Sequence, residues 1–160
     1  GTGPAGRCAR SAVVRSGRCA PRRGAGGWIP DCAGWCDVDG TSRGRSPCFD
    51  FGSAAVDPTL TFSHIYRTEA CCDEGYMEIS LNGGMTWSRL GAAGTGTNWY
   101  NDAPNQWWDG SSGTPGTWRT ASHVLTGTAG LRQVRLRYVF SSDEVVTQEG
   151  FGVDDVVISE

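Results

Sequence analysis

"YMEISLNGGMTWSRL" (residues 76–90) decides how this chain is read. Met77, Ile79 and Leu81 alternate with Tyr76, Glu78 and Ser80, the period-two pattern of a strand with one buried face. Asn82, Gly83 and Gly84 follow. Both residue types tolerate positive φ, so they predict a tight hairpin turn within the 81–87 region. "MTWSRL" (85–90) then returns as the second strand of the hairpin.

The same period recurs on both sides of this hairpin. "TLTFSHIY" (59–66) sets Leu60, Phe62, His64 and Tyr66 on one face. "VRLRYVF" (134–140) points Val134, Leu136, Tyr138 and Phe140 inward and Arg135 and Arg137 outward. "WRTASHVL" (118–125) and "FGVDDVVIS" (151–159) are further strands. No segment carries a helical period. Short alternating strands broken by Gly-rich turns predict an all-β fold, an antiparallel two-sheet jelly-roll sandwich. The interval 91–117, "GAAGTGTNWYNDAPNQWWDGSSGTPGT", is too polar and Gly-rich for a core strand and predicts an elaborate loop.

Composition narrows the function classes. The chain has 160 residues, enough for one domain and an appendage. All 14 basic residues are Arg, which excludes phosphate sites built on Lys and Schiff-base chemistry. There is no run of about 18 apolar residues, so no membrane span is expected. The chain opens without Met and without a charged-then-apolar leader, so an exported protein would be in its processed form. Seven cysteines point to an oxidising location, secreted or on the cell surface. Seven is odd, which implies a free thiol, a bond between chains, or a partner lost in processing.

The chain divides near residue 48. Residues 1–48 hold ten Gly, five Cys and eight Arg against three Asp, a net charge of +5. Their large apolar residues are only Val13, Val14, Trp28, Ile29, Trp35 and Val38. Such an irregular arm cannot bury enough surface to offset its ordering entropy alone. Disulfides, the second segment or a neighbouring chain must hold it. Residues 49–160, the sandwich domain, carry six Arg against fourteen acids, a net charge of −8. A basic arm and an acidic body suggest electrostatic docking, on the chain's own body or on another copy.

Over residues 49–160 five elements occur in order. They are the "LTF" strand, the S-x-N-G-G-x-T-W hairpin, a Trp-rich loop, the G-x-x-x-V-R-L-R-Y strand, and a last strand opening "GFGVDD". This succession resembles the MAM-like jelly-roll modules of secreted bacterial proteins, found beside immune inhibitor A-type peptidases and in Bacteroidota surface proteins. Reelin repeats share the hairpin. The resemblance implies a two-sheet sandwich, no intrinsic catalysis and a structural calcium ion. In that family an acidic loop before the hairpin strand lies near an Asp of the last strand. The matching positions are Glu69 and Asp73, with Asp154 or Asp155. On a regular strand Asp154 and Asp155 point to opposite faces, so only one of them could reach a Ca2+ ion. Glu74 and Asp50 are lesser candidates. Solvated acids at a sheet rim are the plain alternative.

The cysteines are Cys8, Cys19, Cys32, Cys36, Cys48, Cys71 and Cys72. Adjacent cysteines seldom bond each other because the ring strains the peptide link. Cys71 and Cys72 are therefore expected to reach separate partners, such as Cys48 or a cysteine of the arm. "CAGWC" (32–36) is a weak zinc signal, and disulfides are favoured. "DVDG" (37–40) faintly resembles the start of a calcium loop but lacks the later oxygens, so it reads as a turn.

Catalytic constellations are thin. His64 and His123 sit on alternating strands, in no metal-ligand spacing. Asp143 and Glu144 are neighbours and cannot flank a substrate as paired acids do. There is no G-x-S-x-G, H-E-x-x-H or Cys-His motif. Trp99, Tyr100, Trp107, Trp108 and Trp118 cluster with amides and acids, a composition suited to sugar stacking or to a protein interface. The same rings could instead pack the loop onto the sandwich.

The expectation is thus a non-catalytic extracellular structural or adhesive protein. It would assemble head to tail with other copies of itself, through its N-terminal arm, into a surface filament. The alternative is a carbohydrate-binding accessory module of a larger secreted enzyme, with glycans as ligands. Nucleic acid is not an expected partner, because the body is acidic and the arm's Arg are not interleaved with aromatics.

Overall fold

The computed structural model describes residues 40–143, 146 and 148–160, together with the backbone of Val13–Val14. It is all-β: no helix occurs among the described residues. The strands are β1 (Val13–Val14), β2 (Gly40–Arg45), β3 (Thr59–Arg67), β4 (Glu74–Ser80), β5 (Ser88–Arg89), β6 (Arg119–Val124), β7 (Arg135–Ser142) and β8 (Gly150–Ser159). They form two four-stranded sheets, ordered β1-β8-β3-β6 and β2-β7-β4-β5. Every pairing is antiparallel.

The core forms where the alternating faces of the two sheets meet. Leu60, Phe62, His64 and Tyr66 of β3 are all buried, as are Val134, Leu136, Tyr138 and Phe140. Tyr138 of the second sheet packs against Phe151 of the first, with ring centroids 4.7 Å apart. Burying such a ring stabilises by about 2–3 kcal/mol relative to leaving it in water. Val139 is also fully buried, although it points away from this core. In register it lies between Arg43 of β2 and Tyr76 of β4.

The hairpin forms, but not through a tight turn. Glu78 pairs with Arg89 and Ile79 with Ser88, leaving residues 81–87 as a wide loop. Gly83 and Gly84 take φ of 74° and 99°, where a side chain would be strained. The loop is held from within. The N–H of Gly84 donates to Ser80 Oγ at 2.8 Å, and the N–H of Thr86 donates to Asn82 Oδ1 at 2.9 Å. These side chains satisfy amides that a strand would have paired, so the strand ends at Ser80. Leu81, expected on the inner face with Met77 and Ile79, is instead 50 % exposed.

β8 departs from simple alternation. Thr61 faces Val157 but Ser63 faces Asp154, so β8 carries one extra residue opposite β3. Asp155 takes φ 51° at this bulge. Val153 and Val156 both remain buried, while Asp154 is half-buried and Asp155 exposed. The expected split of Asp154 and Asp155 onto opposite faces fails because the bulge resets the pleat.

The division drawn at residue 48 falls after β2, which is hydrogen-bonded to β7 as the edge of the second sheet. β1, far upstream, is the edge of the first sheet beside β8. Cys8, Cys19, Cys32, Cys36, the residues 37–39 and Glu144 lie outside the described residues.

Candidate metal centre

The β3–β4 connection carries the acids singled out in the sequence. Thr68 leaves β3 by donating its N–H to the Gly110 carbonyl at 2.7 Å. Gly75 enters β4 through a reciprocal pair of backbone bonds with Trp108, at 2.9 and 2.8 Å. Both ends of the loop are therefore tied to the 101–110 segment. A Cβ on Gly75 would lie 2.0 Å from the Tyr138 hydroxyl, so only Gly allows this approach.

Inside the loop, Asp73 is the organising carboxylate. It is 3 % exposed. Its Oδ2 accepts the Glu69 N–H at 3.1 Å, and its Oδ1 accepts the Asp143 N–H at 3.3 Å. The second bond brings the β7–β8 connection to the same place. Burial, then the charges of Asp143 and Asp73, raise the Glu69 pKa above the ordinary carboxylate range. Glu69 Oε2 is covered and has no hydrogen-bond partner among the described residues. Asp109, 8 % exposed, accepts the Cys71 N–H at 3.1 Å from the other side.

Glu69 and Asp73 are thus brought together, with Asp143 as the third carboxylate. Asp154 and Asp155 are not. Asp154 lies opposite Ser63, four residues before the end of β3 at Arg67. At about 3.3 Å per residue that is roughly 13 Å of strand before the loop begins. Asp50 caps its own turn by accepting the Gly52 N–H and faces Arg132 at 3.6 Å. Asp143 sits 70 residues from Asp73, and the pairing of loops at one sheet end is invisible in local sequence. Ca2+ needs several carboxylate oxygens converging on one point. Here Asp73 spends both of its oxygens on backbone N–H groups, while Glu69, Asp73 and Asp143 do not form a converging oxygen set, so the expected calcium cage does not fit these residues.

Cys71 and Cys72 are bonded to each other rather than to distant partners. Cys71 adopts φ 100°, a left-handed conformation that folds the loop back on itself and lets neighbouring sulfurs meet. Both residues are exposed. Cys48 is disulfide-bonded as well.

The aromatic loop turns inward. Trp99, Tyr100 and Trp108 are 2, 6 and 1 % exposed and belong to the core. Their polar atoms are satisfied on the way in: Trp99 Nε1 and Tyr100 OH donate to the Leu90 carbonyl at 3.0 and 2.9 Å, and Trp108 Nε1 donates to Asn98 O at 3.0 Å. Those three rings are not available for a sugar or a partner. Trp107 and Trp118 are half-buried, and Trp118 lies over Gly152. The long loop thus supplies core volume to the sandwich.

His64 is 1 % exposed within a shell of Phe62, Tyr66, Trp108 and Phe151. Burial, with a smaller push from Arg119, lowers its pKa to about 4. His123 is also buried, its Nε2 2.8 Å from Thr95 Oγ1. Both histidines serve packing.

One arrangement escaped the sequence reading. On the outer face of the second sheet the Trp87 ring meets both Arg45 and Arg137, register partners whose guanidinium carbons are 5.7 and 4.2 Å from its centroid. Arg89 stacks on Tyr76 at 3.5 Å. The outward alternation of Arg135 and Arg137 was the available signal, but only strand order shows which ring each cation meets. No family model and no curated protein matches this chain.

Proposed function

We propose that this chain is a non-catalytic extracellular structural protein that assembles with copies of itself through its N-terminal segment. The observation that carries this reading is the origin of the two edge strands. β1 adds to β8 and β2 adds to β7, so one segment supplies an edge to each sheet. A strand added along an edge is held by backbone hydrogen bonds, and a neighbouring copy offers the same edge. Residues 15–39 separate the two strands. That length could span up to about 80 Å if extended, at roughly 3.3 Å per residue. Exchange of β1 between copies is a heterologous contact, which propagates as a filament when its rotation does not close.

Strand order supports a jelly roll as the finer architecture. Successive strands alternate between the sheets except for β4 and β5, which form the hairpin. The resemblance to MAM-like surface modules fits this reading.

The test is truncation. Removing residues 1–39 and examining the product by electron microscopy and size exclusion should leave a folded monomer, while the intact chain forms fibres. Equal assembly by both forms would overturn the proposal. A monomeric intact chain that binds glycans on an array would favour the accessory-module alternative. That alternative now rests on Trp107 and Trp118, since the other three rings are in the core.

A further inference from the structure

The Cys71–Cys72 disulfide is placed where it does little for stability. A cross-link stabilises mainly by shortening the excursions of the unfolded chain, and its effect grows with the loop closed. This one joins neighbours in sequence, so it closes no loop. Both cysteines are exposed, and exposed disulfides are the ones open to exchange.

Its surroundings are those of a ligand set. Cys71 Sγ, Cys72 Sγ and a Glu69 carboxylate oxygen lie within 4.8 Å of one another, which makes them the one such donor group among the described residues. Zinc bonds sulfur at about 2.3 Å and carboxylate oxygen at about 2.0–2.2 Å, so tetrahedral ligands sit roughly 3.5–3.8 Å apart. Breaking the S–S bond frees the two sulfurs to move apart towards that spacing by side-chain rotation. Glu69 already presents Oε2 with no partner among the described residues. The loop is held independently of the sulfurs, by Asp73 to the Glu69 and Asp143 amides and by Asp109 to the Cys71 amide.

We propose that reduction of the Cys71–Cys72 disulfide creates a site for one Zn2+ ion, held by the two thiolates and the Glu69 carboxylate. In the reducing step a dithiol gives up two electrons and two protons. Its own disulfide forms, the Cys71–Cys72 bond breaks, and two thiols result. Zn2+ then displaces the two thiol protons to solvent and binds both sulfurs, with Glu69 third and water completing the tetrahedron. The site is closed while the disulfide is intact and opens under reduction. It is distinct in chemistry from a Ca2+ site, which needs oxygen donors only.

The experiment uses the full chain, reduced with a phosphine under anaerobic conditions and titrated with Zn2+. Because Cys48 and the upstream cysteines are also reduced, the comparison is with the C71S/C72S double variant treated identically. Wild type is expected to bind one Zn2+ more than the double variant, and Glu69→Gln to weaken that ion about tenfold. A second measurement needs no variant. Bound Zn2+ should slow alkylation of Cys71 and Cys72 at least tenfold, as read by peptide mass mapping. Equal Zn2+ stoichiometry in wild type and double variant, or unchanged alkylation of Cys71 and Cys72, would overturn the proposal. An unchanged affinity in Glu69→Gln would overturn it as well, because Glu69 is one of the three ligands.

Discussion

Arg137 lies over the indole of Trp87, 4.2 Å from guanidinium carbon to ring centroid, while its Nε donates to the Glu78 carboxylate. The 81–87 loop is thereby fastened to the middle of β7. Trp87 also donates from Nε1 to the Gly84 carbonyl at 3.0 Å, which closes the loop on itself.

Trp87→Ala should therefore lower stability by about 1–2 kcal/mol, the value of a partly desolvated cation–π contact together with its ring packing. Urea unfolding followed by circular dichroism is the measurement, with the midpoint falling and the slope unchanged. Met85, two residues away and 78 % exposed, is the control. Met85→Ser should stay within about 0.5 kcal/mol of wild type.

The buried His64 makes stability depend on pH. Its folded pKa of about 4 lies below the unfolded value of 6.5. Between those values the unfolded chain binds a proton that the folded protein refuses, so stability rises with pH. The contribution is complete above pH 6.5, declines as pH falls towards 4, and has nothing more to lose below that. The span corresponds to on the order of 3 kcal/mol. His64→Leu should flatten the pH dependence across this window, as judged from thermal melts at a series of pH values. A variant with an unaltered slope would assign the effect elsewhere.

Trp108 touches Phe62, His64, Trp99, Tyr100, Tyr138 and Phe151. Trp108→Ala should cost about 3–5 kcal/mol, as expected for deleting a buried indole. Trp118→Ala, at a half-buried outer position, should cost clearly less. If the two variants melt alike, Trp108 does not hold the long loop in the core.

Asp73 is the acid to change in the metal loop. Asp73→Asn replaces one of two acceptors by a donor aimed at a backbone N–H. The expected loss is about 1–3 kcal/mol, the cost of a buried polar group left unpaired. Urea unfolding reads the loss, and a midpoint equal to that of wild type would show that the Glu69 and Asp143 amides do not depend on Asp73.

Much of the framework was legible because burial on one face writes period two into the chain. The strands at 59–67, 119–124, 135–142 and 150–159 fall where alternation places them. Alternation also named most of the core, including His64, whose ring packs among four aromatic rings. It failed at two points, and each has a local cause. Leu81 swings outward because Ser80 and Asn82 bond the loop amides. Asp154 and Asp155 share an outward position because a bulge inserts a residue.

The candidate site divides along the same line. Glu69 and Asp73 were legible because they share one short loop. Asp143 joins them through a contact between connections at one end of the sheets, and nothing in its own neighbourhood announces that.

By itself the sequence determined the all-β class, the hairpin and the inward faces. These depend on residues one or two positions apart, whose side chains are sorted by the pleat. Tertiary structure alone decided where the aromatic rings go. The composition of residues 98–108 suits an exposed binding patch as well as a buried plug. The Leu90 and Asn98 carbonyls that accept from Trp99, Tyr100 and Trp108 made burial possible. It also decided that Cys71 closes on Cys72, because the backbone there turns through a positive φ. Sequence spacing does not encode that angle, and the anchors at Asp73, Asp109 and Trp108 surround it from outside the pair.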